Sequence, residues 1–80
     1  MNIQAQFSVY ALDGSTGKAV QTVLRILEEE GLQVQLGNMS SIVSGSSEAV
    51  FRGIKKASEA AMTHSPCVLN VTFSNACPPR

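Results

Sequence analysis

Apolar and polar residues alternate without a break from position 3 to 10. Ile3, Ala5, Phe7 and Val9 fall on one side, and Gln4, Gln6, Ser8 and Tyr10 on the other. That period of two predicts a strand with one buried face. The same signal returns near the end of the chain, where Leu69, Val71 and Phe73 alternate with Asn70, Thr72 and Ser74. A last strand so apolar on one side is expected at the centre of the sheet. Between the two lie shorter strands. Leu32, Val34 and Leu36 alternate with Gln33 and Gln35. Gly37-Asn38 then suits a two-residue hairpin turn, leading into a strand over 39–44 that ends at Gly45. The facing of 39–44 is left open. A strict two-residue turn sets Met39 opposite Leu36 and turns Met39, Ser41 and Val43 inward, which puts Ser40 and Ser44 on the outer face with Gln35.

Two segments carry the helical period instead. Val20, Val23, Leu24 and Leu27 recur at i, i+3, i+4 and i+7 after the turn Asp13-Gly14-Ser15-Thr16-Gly17, where Ser15 or Thr16 can cap. This helix is expected to stop at Gly31, a C′ residue. In the second, Ser46 or Ser47 caps, Glu48 suits the first turn, and Val50, Ile54, Ala57 and Ala61 form the core stripe. Thr63-His64-Ser65-Pro66 closes it, because the residue before proline avoids helix. The order β-α-β-β-α-β predicts an α+β, ferredoxin-like sandwich: one four-stranded antiparallel sheet with both helices on one face. No linker or low-complexity tract interrupts it, so residues 1–80 read as a single domain.

Eighty residues with 44% apolar content and no tryptophan allow only a thin core, and association of copies is a common remedy. The formal charge is zero, from six acidic and six basic side chains. That excludes the basic footprint of a nucleic-acid binder. No apolar run approaches the ~20 residues of a membrane span, so no membrane insertion is expected. Met1-Asn2-Ile3-Gln4 lacks the regions of a signal peptide, and the chain reads as cytoplasmic. Cys67 and Cys77, if joined by extended chain at ~3.3 Å per residue, lie ~30 Å apart, too far for a disulfide. With His64 they offer three metal ligands, one short of a structural zinc site and at the wrong spacing. No metal is expected.

Gly14-Ser15-Thr16-Gly17-Lys18 has some likeness to a phosphate-binding loop. Leu12 and Ala19 stand where that motif needs its first glycine and its magnesium-binding hydroxyl, so helix capping is the better reading. Every charged residue except Asp13 and Arg80 falls in the two predicted helices. With the helices on one sheet face, the other face presents Gln4, Gln6, Ser8, Tyr10, Gln33, Gln35, Asn70, Thr72 and Ser74. A neutral hydrogen-bonding face suits another subunit or a small polar ligand. His64 is alone, and Glu28-Glu29-Glu30 reads as a solvated helix end. No nucleophile–base constellation emerges, so no enzyme and no catalytic residue are expected.

Three stretches carry a family likeness: Ala5-Gln6-Phe7-Ser8-Val9-Tyr10, Val34-Gln35-Leu36-Gly37-Asn38-Met39-Ser40-Ser41 and Val71-Thr72-Phe73-Ser74-Asn75-Ala76-Cys77-Pro78. Val43-Ser44-Gly45 leading into Glu48-Ala49-Val50-Phe51 adds to it. Through them the chain resembles the small YkoF-type thiamine- and hydroxymethylpyrimidine-binding domains, departing at Ala11, where that family often has proline. The resemblance implies binding of thiamine or its hydroxymethylpyrimidine precursor, without a cofactor, and association into homodimers or homotetramers through sheet faces or edges. It points to Gln6, Ser8, Tyr10, Ser40, Ser44, Ser74 and Asn75 as ligand-binding residues. Neutral amides and hydroxyls can read an aminopyrimidine edge, and Tyr10 can stack on a ring or face a cation. Strands without carboxylates favour the neutral pyrimidine over the cationic thiazolium as the recognised part. Two other readings stay open: an oligomeric regulatory or assembly module with no small ligand, and an enzyme acting on thiamine precursors.

Overall fold

The computed structural model describes residues 1–37 and 40–76. Its elements run β1 (Asn2–Ala11), α1 (Thr16–Glu29), β2 (Gln33–Leu36), β3 (Ser41–Ser46), α2 (Ser47–His64) and β4 (Cys67–Ser74). The four strands form one antiparallel sheet in the order β2-β3-β1-β4. This is the expected ferredoxin-like arrangement, with α1 and α2 packed on one side of the sheet. Ile3, Ala5, Phe7, Val9 and Ala11 are all buried beneath the helices. Val23 and Leu27 of α1 and Val50, Ala57 and Ala61 of α2 meet them from above.

Four expectations are corrected, the fourth at Glu30 below. The last strand is not central: β4 lies at the sheet edge, and β1 occupies the interior with β3. Its apolar side is correspondingly half-covered. Phe73 is 40% exposed and finds its main apolar neighbour in Phe51 of α2, with ring centroids 4.7 Å apart. The 33–46 hairpin has no two-residue turn. Leu36 pairs with Ser41, so four residues separate the paired positions and β3 runs on to Ser46. A side chain at Gly37 would collide with the Ser40 carbonyl, which explains the glycine. Asn38 and Met39 lie outside the described residues, but Ser41 and Val43 do face the helices. Finally, neither Ser15 nor Thr16 caps α1 with its side chain. Ser15 holds the N-cap position but donates to Asp13, while Thr16 Oγ1 accepts from the Ala11 N–H at 3.0 Å. Ser46 does cap α2, accepting from the Ala49 N–H at 3.2 Å.

The end of α1 fixes how the layers meet. Gly31 takes φ +79°, its N–H bonds the Glu28 carbonyl, and the Leu32 N–H reaches back to Leu27 O at 3.2 Å. This left-handed stop turns Leu32 down into the core. There its two methyls occupy a slot between glycines. A Cβ at Gly45 would stand 2.5 Å from Leu32 Cδ2, and one at Gly53 would stand 2.8 Å from Leu32 Cδ1 and 3.1 Å from Leu27 Cδ2. Just before this turn, Glu30 is not a solvated charge. Its side chain is 13% exposed and receives Arg52 Nε at 2.9 Å and Lys56 Nζ at 2.6 Å, both from α2. Lys56 and Arg52, by hydrogen bond and by charge, hold its carboxyl below the usual glutamate range.

Two outcomes follow from this corner. Gly53→Ala gains about 1 kcal/mol of helix propensity, but overpacking against a trapped Leu32 costs about 1–3 kcal/mol. A net loss is expected in denaturant unfolding. In a Leu32→Ala background the same change should turn neutral or stabilising; an unchanged loss there would remove Leu32 as the cause. A carboxylate with a depressed folded pKa contributes stability above its unfolded pKa and loses it as pH falls through the folded one. Thermal unfolding should therefore show Glu30→Gln less stable than wild type at neutral pH. The gap should close as pH drops below ~4.3. A gap independent of pH would rule out the ion pairs as its source.

Candidate functional site

The sheet face opposite the helices is built by register alone. Position by position, the antiparallel pairing sets Gln33, Ser44, Gln4 and Ser74 in one row across the sheet. The next row is Gln35, Ile42, Gln6 and Thr72. Then come Ser8 beside Asn70, and Tyr10 beside Val68. No charged side chain interrupts these rows; the charges among the described residues lie in the helices and the loops flanking α1. Carboxamides and hydroxyls of neighbouring strands meet directly. Gln4 Nε2 donates to Ser44 Oγ at 3.2 Å, and Gln6 Nε2 donates to Ser40 Oγ at 2.8 Å. Each of these bonds uses one of the two amide protons, leaving the glutamine a second donor and its carbonyl acceptor, and each serine keeps its hydroxyl proton to give. The pairs hold the side chains still while keeping both donor and acceptor capacity toward solvent.

Of the seven residues singled out from the sequence, Gln6 and Ser40 are brought into contact, while Ser44 lies one row away beside Gln4 and Ser8 one row away on the other side. Ser74 sits across Gln4 on β4, where its hydroxyl accepts from the Ala76 N–H at 3.0 Å and finishes the strand. Asn75 is exposed in the bend beyond it. Tyr10 stands apart. It lies six positions along the strand from Gln4, ~20 Å at ~3.3 Å per residue. No single small ring on one sheet touches both Tyr10 and the Ser44–Ser74 row. Its neighbour is Val68, and together they make an apolar corner, with 48% and 45% of their surfaces exposed. The sequence reading did not single out Ile42. It is the lone aliphatic side chain among Gln35, Gln6 and Thr72, and the parity of Ser41 and Val43 was its only signal.

The face is uncovered. A concavity lies instead on the helix side, between α1 and the end of α2, and none of its lining residues belongs to these rows. A ligand on the open face therefore has one wall from this chain. Among the described residues no three His, Cys, Asp or Glu side chains gather closely enough to hold a metal ion. Cys67 Sγ donates to the Ala61 carbonyl at 3.5 Å, and Cys77 lies outside the described residues. No described helix is long and apolar enough to cross a membrane.

The profile of the thiamine-binding protein family matches residues 5–72, from the second turn of β1's alternation to the open-face Thr72 of β4. The chain belongs to the thiamine-binding protein family. That match takes in both helices and most of the neutral face, with Gln4 and Ser74 of the first row just outside it. No curated protein matches the chain. Among solved structures, a hypothetical protein from Methanocaldococcus jannascii aligns over 99% of this chain and 84% of its own, at 16% identity and TM-score 0.84. A candidate thiamine biosynthesis/salvage protein from Thermotoga maritima aligns over 92% and 83%, at 14% identity and TM-score 0.79. A domain of unknown function from Bacillus cereus aligns over 92% and 75%, at 15% identity and TM-score 0.76. At these identities the three establish the shared fold.

Proposed function

We propose that residues 1–80 act as one non-catalytic binding unit for thiamine or its hydroxymethylpyrimidine precursor in the cytoplasm, enclosing the ligand between the neutral sheet face and a second copy of the chain. The observation that carries this reading is the charge-free face with its Gln6–Ser40 and Gln4–Ser44 pairs, in a chain of the thiamine-binding family. An aminopyrimidine edge alternates donors and acceptors, and the free amide proton, carbonyl and hydroxyls of these pairs are the complementary set. Recognition falls on the pyrimidine because the rows hold no carboxylate to offset a desolvated thiazolium. Gln6, Ser8, Ser40 and Ser44 form the reading group. Ser74 and Asn75 border it, and Tyr10 supplies a stacking surface at the far end, reached by a ligand or by the facing copy.

One sheet face covers a small molecule on one side only, so a second sheet is part of the proposal. Packed sheets stand ~10 Å apart, which leaves room for a ring lying between two neutral faces where shorter side chains meet. The outer edge of β4 supports association as well. Eight residues from Cys67 to Ser74 carry no charge and no proline, the features that usually keep an edge from pairing. The same two observations favour the second reading, an assembly module whose neutral face only packs.

Isothermal titration of the purified protein separates them. Hydroxymethylpyrimidine and thiamine should give comparable heats, and Gln6→Ala should weaken both by about tenfold, ~1.4 kcal/mol. Heat with thiamine alone would move recognition to the thiazolium near Tyr10. No heat with either, from a protein that sediments as an oligomer, would leave the assembly module.

A further inference from the structure

The two helices are locked at one end and open at the other. Near Glu30 they close on Gly53 and the Arg52 and Lys56 ion pairs. Toward the start of α1 the contact narrows to small side chains, Ala19 and Ala61, and a cleft of ≈ 660 Å³ opens beside them. That volume lies in the range of small-molecule sites, about 300–1,000 Å³. Nothing in the neutral face of the sheet contributes to it.

The cleft has two ends of opposite character. At one, Asp13 Oδ1 accepts from the Ser15 N–H at 3.0 Å and from the Ser15 hydroxyl at 2.6 Å, and Ser15 Oγ lies 3.0 Å from Ser65 Oγ. An ionised carboxylate only accepts, so the single proton of Ser15 goes to Asp13, and Ser65 gives its own proton to Ser15 or to Asp13. Ser65 Oγ is left offering lone pairs. These bonds, from the Ser15 side chain first, hold the Asp13 carboxyl below its ordinary range and keep it charged. Further along the cleft α1 adds two cations, Lys18 about one turn beyond Ser15 and Arg25 about 10 Å further along the axis. Lys18 has no ion pair among the described residues. Arg25 has only Glu29 at 4.0 Å, with both side chains mostly in water, a geometry that contributes little.

The geometry points to a second binding site in this cleft, for a small zwitterion whose phosphate or carboxylate lies at Lys18 and Arg25 and whose ammonium lies at Ser65 and Asp13. An anion alone meets the Asp13 charge and the lone pairs of Ser65. An amine alone meets two cations. Only a molecule carrying both groups uses both ends, and its site is independent of the one proposed on the sheet.

Phosphoethanolamine is the matching probe, with inorganic phosphate and ethanolamine as its halves, added at constant ionic strength and followed by amide NMR. Phosphoethanolamine should give saturable shifts at Ser15, Lys18 and Ser65 while Gln6 and Ser44 stay still, with an affinity about tenfold above either half. Lys18→Ala and Ser65→Ala should each weaken it by about tenfold, ~1.4 kcal/mol, at unchanged thermal stability. Phosphate binding as tightly as phosphoethanolamine would overturn the zwitterion. Shifts that do not saturate, or that persist unchanged in Lys18→Ala, would overturn the site.

Discussion

The constraint on which the molecule rests is the alternation of β1. Its five apolar side chains, from Ile3 to Ala11, are all within 8% of full burial, and both helices are needed to cover them. Once α1 and α2 lie on that side, the alternate residues of β1 have no layer above them. Pairing with β3 and β4 then extends each side across the sheet, because antiparallel partners share a face. The neutral rows are thus the reverse side of the core. Their lack of charge does not follow from the fold, since a solvated face tolerates lysine and glutamate freely, and that is why it carries functional weight.

The helix pair is set by a second, more local device. The left-handed turn at Gly31 sends Leu32 inward, and Gly45 and Gly53 make room for it from strand and helix. Close approach at this corner brings Arg52 and Lys56 within reach of Glu30. One end of the helix layer is therefore packed and paired. The other, where alanines replace leucine, stays open.

Much of this was legible in the sequence, and the failures have physical reasons. Period two and period 3.6 identified all six elements, since each element is amphipathic and its pattern is local. The same pattern misplaced β4. Alternation tells which side of a strand is covered, not how many neighbours it has, and an edge strand half-covered by one helix reads like a central one. Gly37-Asn38 carried the residues of a two-residue turn, but turn length depends on where Leu36 and Ser41 pair. Glu30 was read as solvated because its partners lie 22 and 26 residues further on, beyond any local pattern. Gly53 gave no signal, because the need for a missing side chain appears only when Leu32 arrives from another element. At the site, parity correctly gave the outward residues Gln6, Ser8 and Tyr10. It could not give the rows. Register alone brings Ser40 to Gln6 and Ser44 to Gln4, and separates Tyr10 from both.

The uncovered face gives the proposed binding its energetic form. Ring-sized ligands gain affinity by losing contact with water on both sides, and one sheet removes water from only one. Under the proposed reading the second wall is another copy, so enclosing the ligand and joining the copies are one event. Ligand then stabilises assembly by the same free energy by which assembly strengthens ligand binding. A neutral, hydrogen-bonding face suits that exchange. In the absence of ligand its amides and hydroxyls are satisfied by water and by the Gln4–Ser44 and Gln6–Ser40 bonds, and among the described residues its exposed apolar side chains are Ile42 and the Tyr10–Val68 corner. Charges in those rows would raise the cost of bringing two faces together. Leucines there would bring them together without a ligand. Under the proposed reading, glutamine and serine leave the balance close enough for one small polar molecule to tip it.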